Sequence, residues 1–182
     1  MTQAPEETKP AKRPEDKYKD RIFVREIRGA YSEIYGQLYN GPRVFHSGDV
    51  PWKGGPQHWV KSIISPGDND ATQLFHCHMD VYAPGAKSQQ HAHVNSAIFY
   101  ILEGRGYDIH DGVRYDWEAG DVCIVENACV HQHFNADPDN PAKVVVIKAK
   151  PLFIFAHMLF QRLVQAAPRT PVPGHEDYAP ED

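Results

Sequence analysis

Two short segments of this chain carry the residue types that do metal chemistry: His91-Ala92-His93 and His131-Gln132-His133. Neutral imidazole is the commonest protein ligand for first-row metals. Side chains two apart on a strand share a face, so each HxH presents two imidazoles to the same side. If both faces line one interior, three or four of these rings converge, and the far side of a bound ion stays open to water, substrate or dioxygen. Asn95, Phe99 and Ile101 continue the His93 face and are expected to wall the substrate. Three more polar residues alternate in His76-Cys77-His78-Met79-Asp80. A strand face turned to solvent or to a partner subunit accounts for them most simply. His110, beside Asp111-Gly112, is expected at the surface.

The elements needed to hold those segments are short strands. Runs of strand length alternate with turn signals: His58 to Ser65 before Pro66-Gly67-Asp68, Thr72 to Tyr82 before Pro84-Gly85, and Ala97 to Leu102 before Glu103-Gly104. Tyr107 to His110, Val122 to Val125 and Ala142 to Lys148 complete the series. Evenly spaced short strands predict an all-β sandwich or closed barrel, with Asp111-Gly112 its clearest hairpin. Parity turns Tyr100 away from His93, toward a second layer.

Around this core, residues 1–20 read as a disordered tail of Pro, Lys and Glu. Residues 21–70 combine an amphipathic helix, on Phe23, Ile27, Ala30, Tyr31, Ile34 and Leu38, with an irregular or strand-bearing extension. Residues 71–150 are the barrel core. Leu152, Phe155, Ala156, Leu159, Phe160 and Leu163 recur at helical spacing and predict a helix over 151–167, followed by a flexible Pro-rich tail at 168–182.

Composition limits the partners. A length of 182 residues suits one domain, and a formal charge of −5 without a basic cluster argues against nucleic acid or an anionic membrane. The longest apolar run, Leu152 to Phe160, is too short to span a bilayer. A cytoplasmic protein with a small-molecule ligand is expected. Cys77, Cys123 and Cys129 lack CxxC spacing and read as reduced thiols in or near the core. Trp52, Trp59 and Trp117 read as burial, not as stacking platforms.

Gly85, His91, His93 and Gly104 fall where the first motif of the cupin superfamily has Gly, HxH and Gly, and Gly120, Asp121, His131 and Asn135 fit its second motif. The chain resembles cupins over roughly residues 72–150, which implies a double-stranded β-helix or jelly-roll barrel with one metal on His91, His93 and His131. Two departures stand out. Ala97 replaces the family's glutamate ligand, and Glu126-Asn127-Ala128 replaces its usual Pro-Gly turn.

The stretches HAHVNSAIFYILEG, GRGYDIHDGVRYDWEAGDV and HQHFN are similar to one barrel of gentisate-type ring-cleaving dioxygenases. That resemblance implies iron(II), with Mn, Ni, Cu or Zn as other occupants, together with dioxygen and cleavage of a carbon–carbon bond. His133 is then the acid or base beside the metal. Phe99 stands where that group commonly has Arg, so a less acidic phenol, a hydroxyaryl ketone or a diketone is expected in place of gentisate. Two other readings stay open: a non-oxidative isomerase, lyase or hydrolase using the same metal, and a non-catalytic ligand-binding cupin. An apolar C-terminal helix beside an exposed barrel edge points to a homodimer.

Overall fold

Alternation of apolar and polar side chains, carried through strands of two to seven residues, gives two antiparallel sheets whose inner faces flank the site. The structure, a computed structural model, describes residues 40–66 and 74–181. The expected N-terminal tail and the helix over Phe23 to Leu38 lie outside the described residues.

The first sheet has the order β1-β2-β3-β10-β5-β8. Its strands are β1 (Lys53–Gly54), β2 (His58–Ile64), β3 (His76–Tyr82), β5 (Ala97–Glu103), β8 (Val122–Val125) and β10 (Ala142–Lys148). The second sheet is ordered β11-β4-β9-β6-β7. It comprises β4 (Gln90–His93), β6 (Arg105–His110), β7 (Val113–Glu118), β9 (Val130–Asn135) and β11 (Gln161–Gln165). A short 3₁₀ turn, Ser47–Asp49, precedes the sheets, and one helix, α1 (Lys150–Phe155), separates β10 from β11.

The interior follows strand parity. Ala97, Phe99 and Ile101 are buried while Ile98, Tyr100 and Leu102 are exposed. Val144 and Val146 join them from β10, with Val81, Tyr82, Val125 and Trp117 closing the core. Each buried aliphatic side chain of this size contributes roughly 1.5–3 kcal/mol relative to exposure. The apolar cluster fills one part of the interior, and polar side chains fill the rest.

Turn chemistry fixes the register. Asp111 and Gly112 have φ of 48° and 88°, as a two-residue hairpin with both central residues left-handed requires. At Gly104, φ is 89° and a Cβ would lie 2.8 Å from the Ala142 Cα, so this position of the first motif admits only glycine. The replaced Pro-Gly turn keeps its geometry differently: Ala128 takes φ 63°, its N–H donates to the His93 carbonyl at 2.9 Å, and Asn127 Nδ2 donates to the Val94 carbonyl at 2.8 Å.

The helix expected over 151–167 is corrected. Helix α1 ends at Phe155; His157 then turns left-handed with φ 54°, and Gln161–Gln165 forms β11. The physical reason lies at the edge of the second sheet. Without β11, β4 would present unpaired backbone groups, and β11 pairs with it antiparallel, Gln161 opposite His93 and Leu163 opposite His91. Hydrophobic spacing in this stretch is compatible with a helix, but edge pairing overrides it.

Residues 168–181 contain no helix or strand yet lie against the sheets. Gln57 Nε2 donates to the Thr170 carbonyl at 2.9 Å, Tyr178 packs edge-on against Trp59, and Val172 meets the core. All three cysteines are free, with Cys129 buried and the other two half-buried. Burial pushes the Cys123 thiol up to about 12, which keeps it protonated. Among the described residues, no helix is long and apolar enough to cross a membrane.

Candidate metal centre

Strands β4 and β9 pair so that His91 stands opposite His131. His93 follows His91 on the same face, and the three rings meet inside the barrel. Ring centroids are separated by 4.3 Å for His91–His131, 4.8 Å for His93–His131 and 5.4 Å for His91–His93. One nitrogen from each ring lies within 4.8 Å of the others, a spacing that three ligands around one ion can adopt.

The donor chemistry fits a divalent cation. His93 Nδ1 lies 2.6 Å from the Asn95 carbonyl, and His131 Nδ1 lies 3.1 Å from the Cys129 carbonyl. A carbonyl only accepts, so both Nδ1 atoms carry the proton and each Nε2 keeps its lone pair. Burial pulls His131 down to about 2 and His91 to about 4, each aided by the neighbouring His133, and burial also lowers His93. All three are therefore neutral at pH 7, the form that ligates. With Ala97 in place of a carboxylate, the ion would keep its full charge.

His133 projects from β9 beside this cluster. Its Nδ1 lies 2.9 Å from Asp108 Oδ1, and its ring is 4.2 Å from that of Phe99. Trp117 Nε1 donates to the same carboxylate oxygen at 2.9 Å, while His110 Nε2 lies 3.4 Å from Asp108 Oδ2. Burial alone would raise the Asp108 carboxyl, but His133, His110 and Trp117 outweigh it and hold the group well below the usual range. An ionised carboxylate at 2.9 Å favours a proton on His133 Nδ1, which leaves Nε2 as the ring nitrogen available to the cavity.

His110 is a correction to the expected surface residue. It is buried, and its Nδ1 lies 2.8 Å from Glu126 Oε2 at the surface. Asp108 and His110 are two apart on β6, so parity carries both inward, and the adjacent hairpin does not expose them. His110, Glu126 and Cys129 also bring three ligand-type atoms within 4.8 Å. Burial, with Glu126 beside it, pushes the Cys129 thiol up to about 12, so this group is a hydrogen-bonded cluster with a protonated thiol.

The strand face of His76, His78 and Asp80 is likewise corrected from solvent to interior. All three line the cavity with His58, Val60, His91, His93, Phe99, His133 and Lys148. Asp80 is buried, with His58 Nε2 at 3.2 Å, His78 Nε2 at 3.4 Å and the Tyr82 hydroxyl at 3.4 Å. Burial would raise Asp80, yet the two imidazoles hold it well below the usual range. Parity was the available signal for His76, His78 and Asp80, but it does not say which face is inner.

Of the expected substrate wall, Phe99 lines the cavity; Ile101 lies in the apolar core, and Asn95 is buried with its carbonyl holding His93. The cavity measures about 190 Å³. Drug-sized ligands occupy sites of roughly 300 Å³ and above, so this one suits a compound of a single small ring.

Residues 78–148, a stretch that includes β4 and β9, match the cupin domain family. Over 63 residues the chain is 30% identical to the 5-aminosalicylate 1,2-dioxygenase of Comamonas sp, a match covering 35% of this chain and 17% of that protein. In fold it is similar to salicylate 1,2-dioxygenase from Pseudoaminobacter salicylatoxidans with gentisate bound: TM-score 0.55 and 16% identity, over 63% of this chain and 31% of that one. A cupin-like protein from Thermotoga maritima gives a TM-score of 0.51 and 22% identity, over 69% of this chain and 86% of that chain. The chain thus spans under two fifths of the length of the dioxygenases it resembles.

Five imidazoles in and beside the cavity with lowered pKa values carry a consequence for stability. In the metal-free protein His76 (about 3), His91 (about 4) and His131 (about 2) stay neutral as pH falls from 6.5 toward 4, while the unfolded chain takes up protons; His78 and His93 are lowered in the same direction. Unfolding free energy then drops with falling pH between about 6.5 and 4, on the order of 1 kcal/mol per pH unit for each such ring. His110, whose pKa is raised, opposes this in part. Urea denaturation of chelator-treated protein at pH 7, 6 and 5 measures it; a flat profile would contradict the neutral assignment.

Proposed function

We propose that this cupin chain is a non-haem iron(II) dioxygenase that cleaves a carbon–carbon bond of a small phenolic, hydroxyaryl ketone or diketone compound. The observation that carries the reading is the meeting of three neutral imidazoles, without a carboxylate among them, at a cavity that His91 and His93 line. The sequence similarity to an aminosalicylate dioxygenase and the fold shared with salicylate dioxygenases support it.

In this reading His91, His93 and His131 would hold the ion, and iron(II), when bound there, would supply the redox chemistry that lets a phenolic substrate react with dioxygen. The rest is done by the chain. Phe99 and Val146 offer an apolar wall against which a flat ring lies. His133 Nε2 takes the hydroxyl proton of the substrate, so that the oxygen reaches the site as an anion. Asp108, behind Nδ1, stabilises the imidazolium that results and fixes the ring's tautomer.

A second copy of the chain is the proposed partner. Ile98, Tyr100, Ile124 and Ile147 form an exposed apolar area on the outer face of the first sheet, and Phe160 and Leu163 add to the exposed apolar surface around β11. Sedimentation is expected to give a dimer, and a monomer at tens of micromolar would count against this partner.

The activity is tested by oxygen uptake of the anaerobically iron-loaded protein across dihydroxybenzenes, hydroxybenzoates, hydroxyacetophenones and diketones. At least one compound is expected to drive stoichiometric uptake with a ring-opened or chain-cleaved product. His133→Ala is expected to retain the metal and lose roughly 100-fold or more in rate. Turnover that proceeds equally without oxygen would replace the dioxygenase reading by a non-oxidative one, and ligand binding without product under both conditions would leave a binding module.

A further inference from the structure

Lys148 ends β10, and its register partners are Ala97 on β5 and His76 on β3. Paired residues of an antiparallel sheet project to the same face. The lysine therefore stands over the cavity beside the position where the cupin motif otherwise places a carboxylate, and it lines that cavity with His76, His91 and His93.

Nothing among the described residues occupies its ammonium group: Lys148 has neither an ion pair nor a hydrogen bond there. The natural candidate, Asp80, is already surrounded by His58, His78 and the Tyr82 hydroxyl. Burial pulls Lys148 down to about 8, with Asp80 opposing and Lys150 assisting, so most of it is charged at pH 7. Its charge reaches across the cavity, where it contributes to the lowered pKa values of His91 and His93 as well as His76.

The neighbouring register position adds a second unsatisfied group. His76 Nε2 contacts Ser62 Oγ at 3.2 Å, but His76 Nδ1 is buried without a hydrogen-bond partner. A half-buried cation is unfavourable unless an anion or other acceptor meets it, and an orphaned imidazole nitrogen is unfavourable unless a hydrogen-bonding group does. The ammonium selects a ligand that is anionic and accepts hydrogen bonds, and His76 Nδ1 offers it a second polar contact.

We propose that Lys148 is the anion anchor of this cavity: the substrate carries an acid group, a carboxylate or a similarly placed oxyanion, that sits on the Lys148 ammonium with His76 beside it. The inference rests on the metal-centre reading and narrows its substrate class to compounds that also carry an acid group, against the less acidic substrate that Phe99 alone suggests. Phe99 removes the cation that the dioxygenase resemblance leads one to expect on β5, and Lys148 restores a cation from the adjacent strand β10.

Binding tests this without turnover. Protein loaded with zinc(II) is titrated calorimetrically with 2,5-dihydroxybenzoate and with 1,4-dihydroxybenzene, which differ only in the carboxylate. Wild type is expected to bind the acid about tenfold or more tightly than the neutral compound, the worth of one charge-assisted hydrogen bond. Lys148→Met is expected to lose most of that preference while its affinity for 1,4-dihydroxybenzene stays within about twofold, and Lys148→Arg to retain it.

Equal affinity of wild type for both compounds overturns the proposal, whatever the variants do. So does a preference that survives Lys148→Met, or a parallel fall in both affinities, which would mark a packing role. Failure of the dioxygenase reading is distinguishable: no oxygen uptake with the acid preference intact leaves the anchor standing. Uptake that is equally fast on acid and neutral phenols, in wild type and Lys148→Met alike, removes the anchor and keeps the enzyme.

Discussion

Removing several imidazoles from water while keeping them neutral is the constraint on which the rest of this structure depends. A protonated histidine in the barrel interior would face burial and its neighbours' like charge together, and His131 is accordingly pulled to about 2. Neutrality alone does not make a ligand set. The Asn95 and Cys129 carbonyls pin two Nδ1 atoms, so the remaining nitrogens have a defined lone pair. Those carbonyls are in place because β4 and β9 pair with His91 opposite His131, and that register is held by the adjacent turns and by β11 along the β4 edge.

Electrostatics divide the interior into distinct regions. Asp108 lies behind His133, and Asp80 lies among His58, His78 and Tyr82; both carboxylates stay ionised because imidazole donors compensate their burial. Neither carboxylate joins the three-histidine cluster. The absence of a glutamate at Ala97 and the presence of Lys148 beside it act in the same direction. Together they leave the Ala97 position without a negative group beside Lys148, while Asp80, the carboxylate in the cavity lining, lies among His58, His78 and Tyr82.

Strand parity made much of this legible in the sequence. It put His91 with His93, His131 with His133, and Phe99 inward with Tyr100 outward, because a period of two is a property of the backbone. Parity alone could not say which face of β3 was the inner one, so His76, His78 and Asp80 read as an outer face. His110 read as a surface residue because a hairpin follows it, although the polar interior that receives it is assembled from β6, β7 and β9. Lys148 was invisible for a different reason: a lysine at the end of a strand usually reaches solvent, and only the pairing of β10 with both β3 and β5 reveals what it faces. The C-terminal segment shows the limit of periodicity, since Leu163 and Val164 fit either a helix or a strand until the open edge of β4 is known.

The central claim is that His91, His93 and His131 together hold one divalent ion. X-ray absorption spectroscopy on protein loaded anaerobically with iron(II), combined with metal counting, measures it directly. The account predicts one ion per chain with three imidazole scatterers at roughly 2 Å, and loss of that ion on dialysis after His131→Ala. An ion held with fewer than three imidazoles, or held equally well by His131→Ala, would contradict it.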